Sequence, residues 1–193
     1  MILRQGHLLG MIYLTLFSLW ITSEVFLLVK RKATTGLAAS DQGFTKQALV
    51  SFIVANLAAI ACLAFLPRAV FATEVTALLG LALMTWGLLL RWWAVVHLGR
   101  FFTVNVAVAS DHRVVDTGPY RLIRHPSYTG LLLTCLGVGL CFGNVASLLV
   151  IVLPILALAL KRMRVEEAAL ASSLGEDYRA YMSHTKRLIP GVY

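Results

Sequence analysis

The chain has 193 residues, of which 59% are hydrophobic and only 13% are charged. This composition, with a mean hydropathy of +0.81, excludes an ordinary soluble globular domain and predicts one compact unit integrated in a membrane. The formal net charge of +8 comes largely from basic residues between apolar runs. It therefore indicates membrane topology and attraction to anionic lipids, and we expect no nucleic-acid partner.

The apolar runs predict an all-α integral membrane protein with about five transmembrane helices. Three runs have the length of a full membrane span: Leu8 to Val29, Ala48 to Leu66, and Val75 to Val96. Two shorter runs, Tyr128 to Phe142 and Val145 to Leu160, are separated only by Gly143-Asn144 and predict a tight helical hairpin. Both a full crossing and a shallow re-entrant hairpin are compatible with arms of this length.

The segments between and after these runs differ in character. Residues 30–47 predict a polar loop with turns, whereas residues 97–127 are dense in ionisable and turn-forming groups. Residues 161–183 predict an amphipathic helix that lies against the membrane face. We therefore divide one structural unit into N-terminal transmembrane helices, residues 1–96, and a candidate catalytic region, residues 97–193, which holds most of the polar groups.

Basic residues predict the orientation of the chain in the membrane. They concentrate on one side of the spans: Lys30, Arg31, Lys32, Lys46, Arg100, Arg113, Arg121, Arg124, Lys161, Arg162 and Arg164. By the positive-inside rule, the N-terminus faces outward, and the C-terminus and the polar segments face the cytoplasm. Arg91, near that end of the third span, is expected to extend its charge toward the interface.

The segment Arg124-His125-Pro126-Ser127-Tyr128 places polar groups at the start of the hairpin. Pro126 suits the first position of a helix, so His125 is expected at a helix N-terminus, where an anion binds readily. Beyond the hairpin, Arg162 and Glu166 are four residues apart and share a helix face. Taken singly, His125 also fits an ordinary helix cap, and Arg162 with Glu166 fits a surface ion pair.

The cysteines, and the histidines outside the hairpin, give no sign of a catalytic or metal-binding role. The cysteines Cys62, Cys135 and Cys141 lie in apolar runs without CxxC spacing, which is typical of small buried side chains. The histidines outside the hairpin have no partners at metal-ligand spacing, so we predict no metal site.

Taken together, the polar motifs resemble those of the isoprenylcysteine carboxyl methyltransferase family of integral membrane enzymes. The similarity covers about residues 97–190 and rests on an ordered set of motifs: Asp111-His112-Arg113-Val114-Val115, Thr117-Gly118-Pro119-Tyr120, Ile123 to Tyr128, Arg162 with Glu166-Glu167, and Leu174 to Tyr181. Each part is weak alone, and the set in order is specific. The first 95 residues match only as hydrophobic spans.

The resemblance implies S-adenosylmethionine as cofactor and a lipophilic acceptor that enters from the bilayer. It implies these cofactor-binding residues: Asn105, His112, Arg113, Val114, Val115, Tyr120, His125, Pro126, Ser127, Tyr128 and Glu166. Asn105 replaces a glutamine of the eukaryotic pattern. Arg162 corresponds to the arginine that orients the acceptor carboxylate. Such a carboxylate is ionised at neutral pH, so methyl transfer to it requires positioning and no general base.

Three alternative functions remain open at this stage. Phosphatidylethanolamine N-methyltransferases and NADPH-dependent sterol reductases carry a related RHPxY segment followed by acidic residues. Gly118-Pro119-Tyr120 and the spacing from Arg162 to Glu166 favour the carboxyl methyltransferases. A non-catalytic membrane protein explains the spans equally well, but it does not explain why polar residues collect beside the hairpin. The sequence does not identify the acceptor or the oligomeric state.

Overall fold

The structure is a computed structural model, which describes residues 7–30, 38–66, 71, 73–102 and 113–193. These residues form six α-helices: α1 (His7–Lys30), α2 (Ala38–Phe65), α3 (Glu74–Leu98), α4 (Pro126–Phe142), α5 (Val145–Leu174) and α6 (Glu176–His184). Two short 3-10 turns, Gly99–Phe101 and Gly118–Arg121, lie between α3 and α4. Asn105 and His112 lie outside the described residues.

The predicted apolar runs correspond to the first five helices. Among the described residues, three helices are long and apolar enough to cross a membrane, and they cover Leu8–Lys30, Glu74–Phe101 and Val145–Leu174. Two shorter apolar helices, Val50–Phe65 and Pro126–Phe142, accompany them. The prediction of a loop up to residue 47 is wrong, because α2 already begins at Ala38. Two alanines favour helix there, and the single Gly43 does not end it.

The tight hairpin between α4 and α5 is confirmed, and its turn is held by backbone geometry and one side chain. Gly143 adopts a left-handed conformation with φ 65°, which a glycine accepts without steric cost. Asn144 then caps α5, because its Oδ1 accepts a hydrogen bond from the Ser147 amide at 3.1 Å. The Asn144 Nδ2 also donates to the Leu66 carbonyl at 3.0 Å, which ties the turn to the end of α2.

The prediction of one amphipathic helix over residues 161–183 is wrong. Instead, α5 continues from the apolar run without a break to Leu174, and a separate short helix, α6, follows. Gly175, with φ 61°, ends α5 in a conformation that side chains rarely adopt. Arg162 and Glu166 therefore lie on a rigid extension of the second arm of the hairpin.

Close backbone contact fixes α3 against α4. A Cβ atom added to Gly87 would lie 2.6 Å from the Gly130 carbonyl oxygen, and one added to Gly137 would lie 2.5 Å from that of Gly80. Small residues at membrane helix interfaces allow such contact, and van der Waals packing then stabilises the pair. Helix α5 packs on α4 and on α2, and α1 packs on α3.

The interior between these helices is apolar and includes two of the cysteines. Trp20 of α1, Met84 of α3 and Ile151 of α5 are buried there. Cys135 and Cys141 are also buried and Cys62 is partly buried; all three thiols are free, in agreement with their predicted role as small hydrophobes. Large apolar side chains such as Trp86 and Leu153 remain exposed, which suits a surface that faces lipid.

Candidate functional site

Ionisable side chains meet at the end of the α4–α5 hairpin opposite its turn. We call this region the charged end, and its central members are His125, Tyr128, Arg162, Glu166 and Glu167. The first two stand at the start of α4, where Pro126 occupies the first helical position as predicted. The other three lie on the extension of α5, where Arg162 is about one turn before the adjacent Glu166 and Glu167.

Glu166 is the centre of the predicted cluster. Its Oε1 accepts a hydrogen bond from the Tyr128 hydroxyl at 2.7 Å and another from Arg162 Nε at 3.3 Å. The His125 Nδ1 lies 3.6 Å from its Oε2. The Arg162 side chain is only 3% exposed, whereas that of Glu166 is 22% exposed. The structure thus brings together four predicted site residues and leaves part of the Glu166 carboxylate accessible.

Glu167 forms a second, more buried cluster with cations. Its carboxylate accepts hydrogen bonds from Arg124 Nε at 2.9 Å and from Arg187 Nη2 at 2.6 Å. The His125 Nε2 lies 3.2 Å from the same group, so the imidazole stands between the two adjacent glutamates. No separate role was predicted for Glu167. Its position next to Glu166 could have indicated one, because a second acidic residue on this helix also needs a partner for its charge.

The C-terminal segment, residues 185–193, fixes the backbone that carries His125. The Arg124 amide donates to the Lys186 carbonyl at 2.7 Å, and the His125 amide donates to the Arg187 carbonyl at 3.0 Å. The Thr129 hydroxyl adds a hydrogen bond to the Leu188 carbonyl at 2.9 Å. Backbone and side chain of His125 are thus both restrained before any ligand binds.

Tyr120 belongs to the turn Gly118–Arg121 and lies beside the charged end. Its hydroxyl donates to the Ala94 carbonyl at 3.3 Å, and its own carbonyl accepts from the Tyr181 hydroxyl at 2.6 Å. Burial raises the pKa of Tyr120, and the negative charge of Glu166 raises this pKa further. Tyr120 therefore remains a neutral hydrogen-bond donor at neutral pH.

His97 positions the turn that leads to Tyr120, a role that the sequence analysis missed. Its Nε2 lies 2.9 Å from the Thr117 hydroxyl, and its ring stacks on Tyr120 with centroids 6.2 Å apart. Gly118, with φ 57°, lies against that ring, since an added Cβ would come within 2.6 Å of it. A histidine at the end of a span gives no such signal in the sequence.

The remaining predicted cofactor residues divide into three groups. Arg113 is exposed, whereas Val114 and Val115 are partly buried. Pro126 and Ser127 are buried in the first turn of α4. The predictions for Asn105 and His112 fall outside the described residues.

Arg91 does not extend its charge to the interface, so that prediction is wrong. Its side chain is only 10% exposed and forms an ion pair with Glu24 of α1. Its guanidinium also donates to the Ser127 hydroxyl at 2.9 Å. A carboxylate on the neighbouring helix thus satisfies the buried charge of Arg91.

The arrangement of the charged end fits a small ligand that carries both charges. The accessible part of Glu166 offers a carboxylate to a cation, and the buried guanidinium of Arg162 lies beside it. Both side chains project from one rigid helix, and His125 and Tyr128 project from the helix packed against it. Such preorganisation suits catalysis by positioning.

Comparisons with known proteins connect this chain to one family. The model of the isoprenylcysteine carboxyl methyltransferase (ICMT) family matches residues 76–172. A protein-S-isoprenylcysteine O-methyltransferase of Schizosaccharomyces pombe is 35% identical over 128 residues, which are 65% of this chain and 53% of that protein. The relative from Arabidopsis thaliana named protein-S-isoprenylcysteine O-methyltransferase B is 25% identical over 173 residues, covering 89% of this chain and 87% of its own.

One solved structure shares the fold. It is the structure of the eukaryotic intramembrane Ras methyltransferase ICMT, which matches with a TM-score of 0.59 at 24% identity. The match covers 82% of this chain and 55% of that structure, and the alignment to the Schizosaccharomyces pombe relative likewise spans about half of that protein. Together with the apolar helices, the shared fold makes this chain a multi-pass integral membrane protein.

Proposed function

Because the chain belongs to the isoprenylcysteine carboxyl methyltransferase family, we propose that it methylates the carboxylate of a lipophilic acceptor with S-adenosylmethionine as donor. The observation that carries the proposal is the joint position of Tyr128, Arg162 and Glu166 at the charged end. A scaffold has no need for a partly accessible carboxylate beside a buried guanidinium. The relatives' names support isoprenylcysteine as the acceptor class.

The residues present fit this donor by their charges. S-adenosylmethionine carries an amino acid moiety, whose ammonium suits the exposed part of the Glu166 carboxylate. The donors at the start of α4, His125 and Tyr128, suit its carboxylate or ribose. We assign cofactor binding to Tyr120, His125, Tyr128 and Glu166, with Pro126 and Ser127 shaping the turn. Asn105, His112, Arg113, Val114 and Val115 are proposed to complete this site.

In the proposed reaction the chain contributes position and electrostatic stabilisation. When bound, the donor supplies a methyl group on a sulfonium, and its sulfur leaves as a thioether while the new O–CH₃ bond forms. Arg162 orients the acceptor carboxylate as a fork, and Glu166 keeps the guanidinium aligned through its Nε contact. The carboxylate enters already ionised, so no residue has to remove a proton. Tyr120 and Tyr178, both buried, exclude water from the adjoining face.

The basic residues support an orientation with the charged end at the cytoplasmic face. Lys161 and Arg164 are exposed on α5 next to the site, where anionic headgroups would neutralise them. The acceptor then enters laterally from the bilayer, with its carboxylate at the interface and its apolar chain in the lipid. We propose the N-terminus on the opposite side.

The test is methyl transfer by the purified protein in lipid nanodiscs, with labelled S-adenosylmethionine and one of two acceptors, an S-prenylcysteine analogue or phosphatidylethanolamine. We expect label on an S-prenylcysteine analogue, released as methanol by mild base because the product is an ester. Label on phosphatidylethanolamine instead would indicate an amine methyltransferase. Absence of transfer to any acceptor, together with no thermal stabilisation by millimolar S-adenosylhomocysteine, would contradict the proposal.

A further inference from the structure

Helix α1 carries a carboxylate where an apolar side chain is expected. Glu24 lies within the run from Leu8 to Val29 and precedes Lys30 by six residues, so it lies about 9 Å along the helix from that basic end. An ionised group in such a span is costly unless it is paired, and paired groups in spans commonly serve function. The motifs of the family place no role on this helix, and residues 76–172, which the family model matches, exclude it.

The partner of Glu24 is held in a bidentate geometry. Arg91 Nε donates to Glu24 Oε1 at 2.5 Å, and Nη2 donates to Oε2 at 2.6 Å. Two parallel bonds to one carboxylate fix the plane of a guanidinium more strictly than a single contact does. The direction of the remaining nitrogen, Nη1, is therefore set by Glu24.

That third nitrogen reaches the proposed cofactor segment. Arg91 Nη1 donates to the Ser127 hydroxyl at 2.9 Å and to the Ser127 carbonyl at 3.2 Å. The backbones are in contact at the same level, since a Cβ added to Gly130 would lie 2.7 Å from the Arg91 amide nitrogen. Ser127 precedes Tyr128, whose hydroxyl holds Glu166.

We infer that Glu24 is a positioning residue for the cofactor segment and acts through Arg91. The inference rests on the proposed function, because it assigns the His125 to Tyr128 turn to cofactor binding. The Glu24 carboxylate orients the guanidinium, the guanidinium holds Ser127, and Ser127 fixes the turn from which Tyr128 reaches Glu166. The first transmembrane helix thus controls the shape of a site formed by the last two.

The alternative is that Glu24 and Arg91 only join α1 to α3. A double substitution separates the two roles, because a paired change to apolar side chains of similar length leaves no unpaired buried charge and is often neutral for stability. Glu24→Met with Arg91→Met removes the donor to Ser127 and keeps the packing volume. We expect its thermal unfolding midpoint to stay near that of the wild type and its KM for S-adenosylmethionine to rise about tenfold, with kcat changed less than about threefold.

A single substitution gives a second measurement if the double variant does not fold. Arg91→Lys keeps the charge beside Glu24, but a lysine ammonium is a point charge that cannot maintain the bidentate pair and hold Ser127 together. We expect KM for S-adenosylmethionine to rise about threefold in this folded variant. Glu176→Gln is the matched control, because Glu176 forms only an exposed ion pair with Arg179, and its KM should equal that of the wild type.

The outcomes distinguish this inference from the proposed function. If the wild-type protein binds no S-adenosylhomocysteine, both fail. If it binds the ligand and transfers methyl groups, but both Arg91 variants retain the wild-type KM, the positioning role is overturned and the function stands. A rise in KM in either folded variant, with an unchanged Glu176→Gln control, supports the role.

Discussion

The two ends of the α4–α5 hairpin use polar groups in different ways. At the turn, the polar contacts run to backbone: Asn144 binds the Ser147 amide and the Leu66 carbonyl, and the Ser147 hydroxyl donates to the Ala59 carbonyl at 2.8 Å. At the charged end, side chains bind one another, and Glu166 keeps part of its carboxylate exposed. The polar side chains at the turn are uncharged and have hydrogen-bond partners within the protein, so they stabilise the fold. The charged end holds groups that a ligand can still reach.

The charged end contains a structural half around Glu167 and a proposed binding half around Glu166. Glu167 is buried among Arg124, Arg187 and His125, whereas Glu166 is the more exposed of the two neighbours. A buried carboxylate with several donors serves stability, and the exposed one is available for binding. Substitutions at the two positions should therefore have different consequences.

The largest expected effect is on stability, from Glu167→Gln. Removal of one partner leaves Arg124 and Arg187 beside a neutral amide, with a cost of about 3–5 kcal/mol in the free energy of unfolding. Thermal unfolding in detergent measures it, with Glu176→Gln as the exposed control. A thermal unfolding midpoint equal to that of the control would contradict the structural role of Glu167.

Next in size is the effect of Arg162→Ala on methyl transfer. Loss of the fork should lower kcat/KM for the carboxylate acceptor about 100-fold, or about 2.7 kcal/mol, because the reacting oxygen is no longer oriented. Binding of S-adenosylhomocysteine should change far less, which isothermal titration measures. The adjacent Lys161→Ala, on an exposed face, is the control. Unchanged transfer by Arg162→Ala would remove the assigned role.

A smaller effect is expected from Tyr128→Phe. This change removes the hydroxyl that donates to Glu166 at 2.7 Å without creating a large cavity, and Arg162 Nε remains as a hydrogen-bond donor to that carboxylate oxygen. We expect binding of S-adenosylhomocysteine to weaken about tenfold, in line with the loss of one hydrogen bond to a charged group. Tyr13→Phe removes a hydroxyl elsewhere, on α1, and should leave the affinity unchanged.

The smallest effect is expected at the turn. Asn144→Ala removes the cap of α5 and should lower the free energy of unfolding by about 1 kcal/mol, with KM unchanged for both substrates. Asn144→Ser retains a side-chain oxygen that can cap the Ser147 amide and loses the amide donor to Leu66, so its stability should lie between that of Asn144→Ala and that of the wild type. A change in KM in either variant would contradict the division between the two ends.

The sequence determined the features of this protein that depend on neighbours along the chain. The apolar runs predicted the helices because a membrane span needs a continuous stretch of apolar side chains. Gly143-Asn144 predicted the hairpin turn, and the spacing from Arg162 to Glu166 predicted their contact, because both are local geometry. The extent of α5 was not predicted, because the change from apolar to amphipathic pattern at residue 160 indicated a boundary where the backbone has none.

Only the tertiary structure decided which distant charges meet. Glu24 and Arg91 are 67 positions apart, and Arg124 and Glu167 are 43 apart, so no periodicity links them. Their pairing depends on which helices pack side by side and at what height, as α1 does on α3 and α5 does on α4. A buried charge must find a partner, but the sequence alone does not say which one.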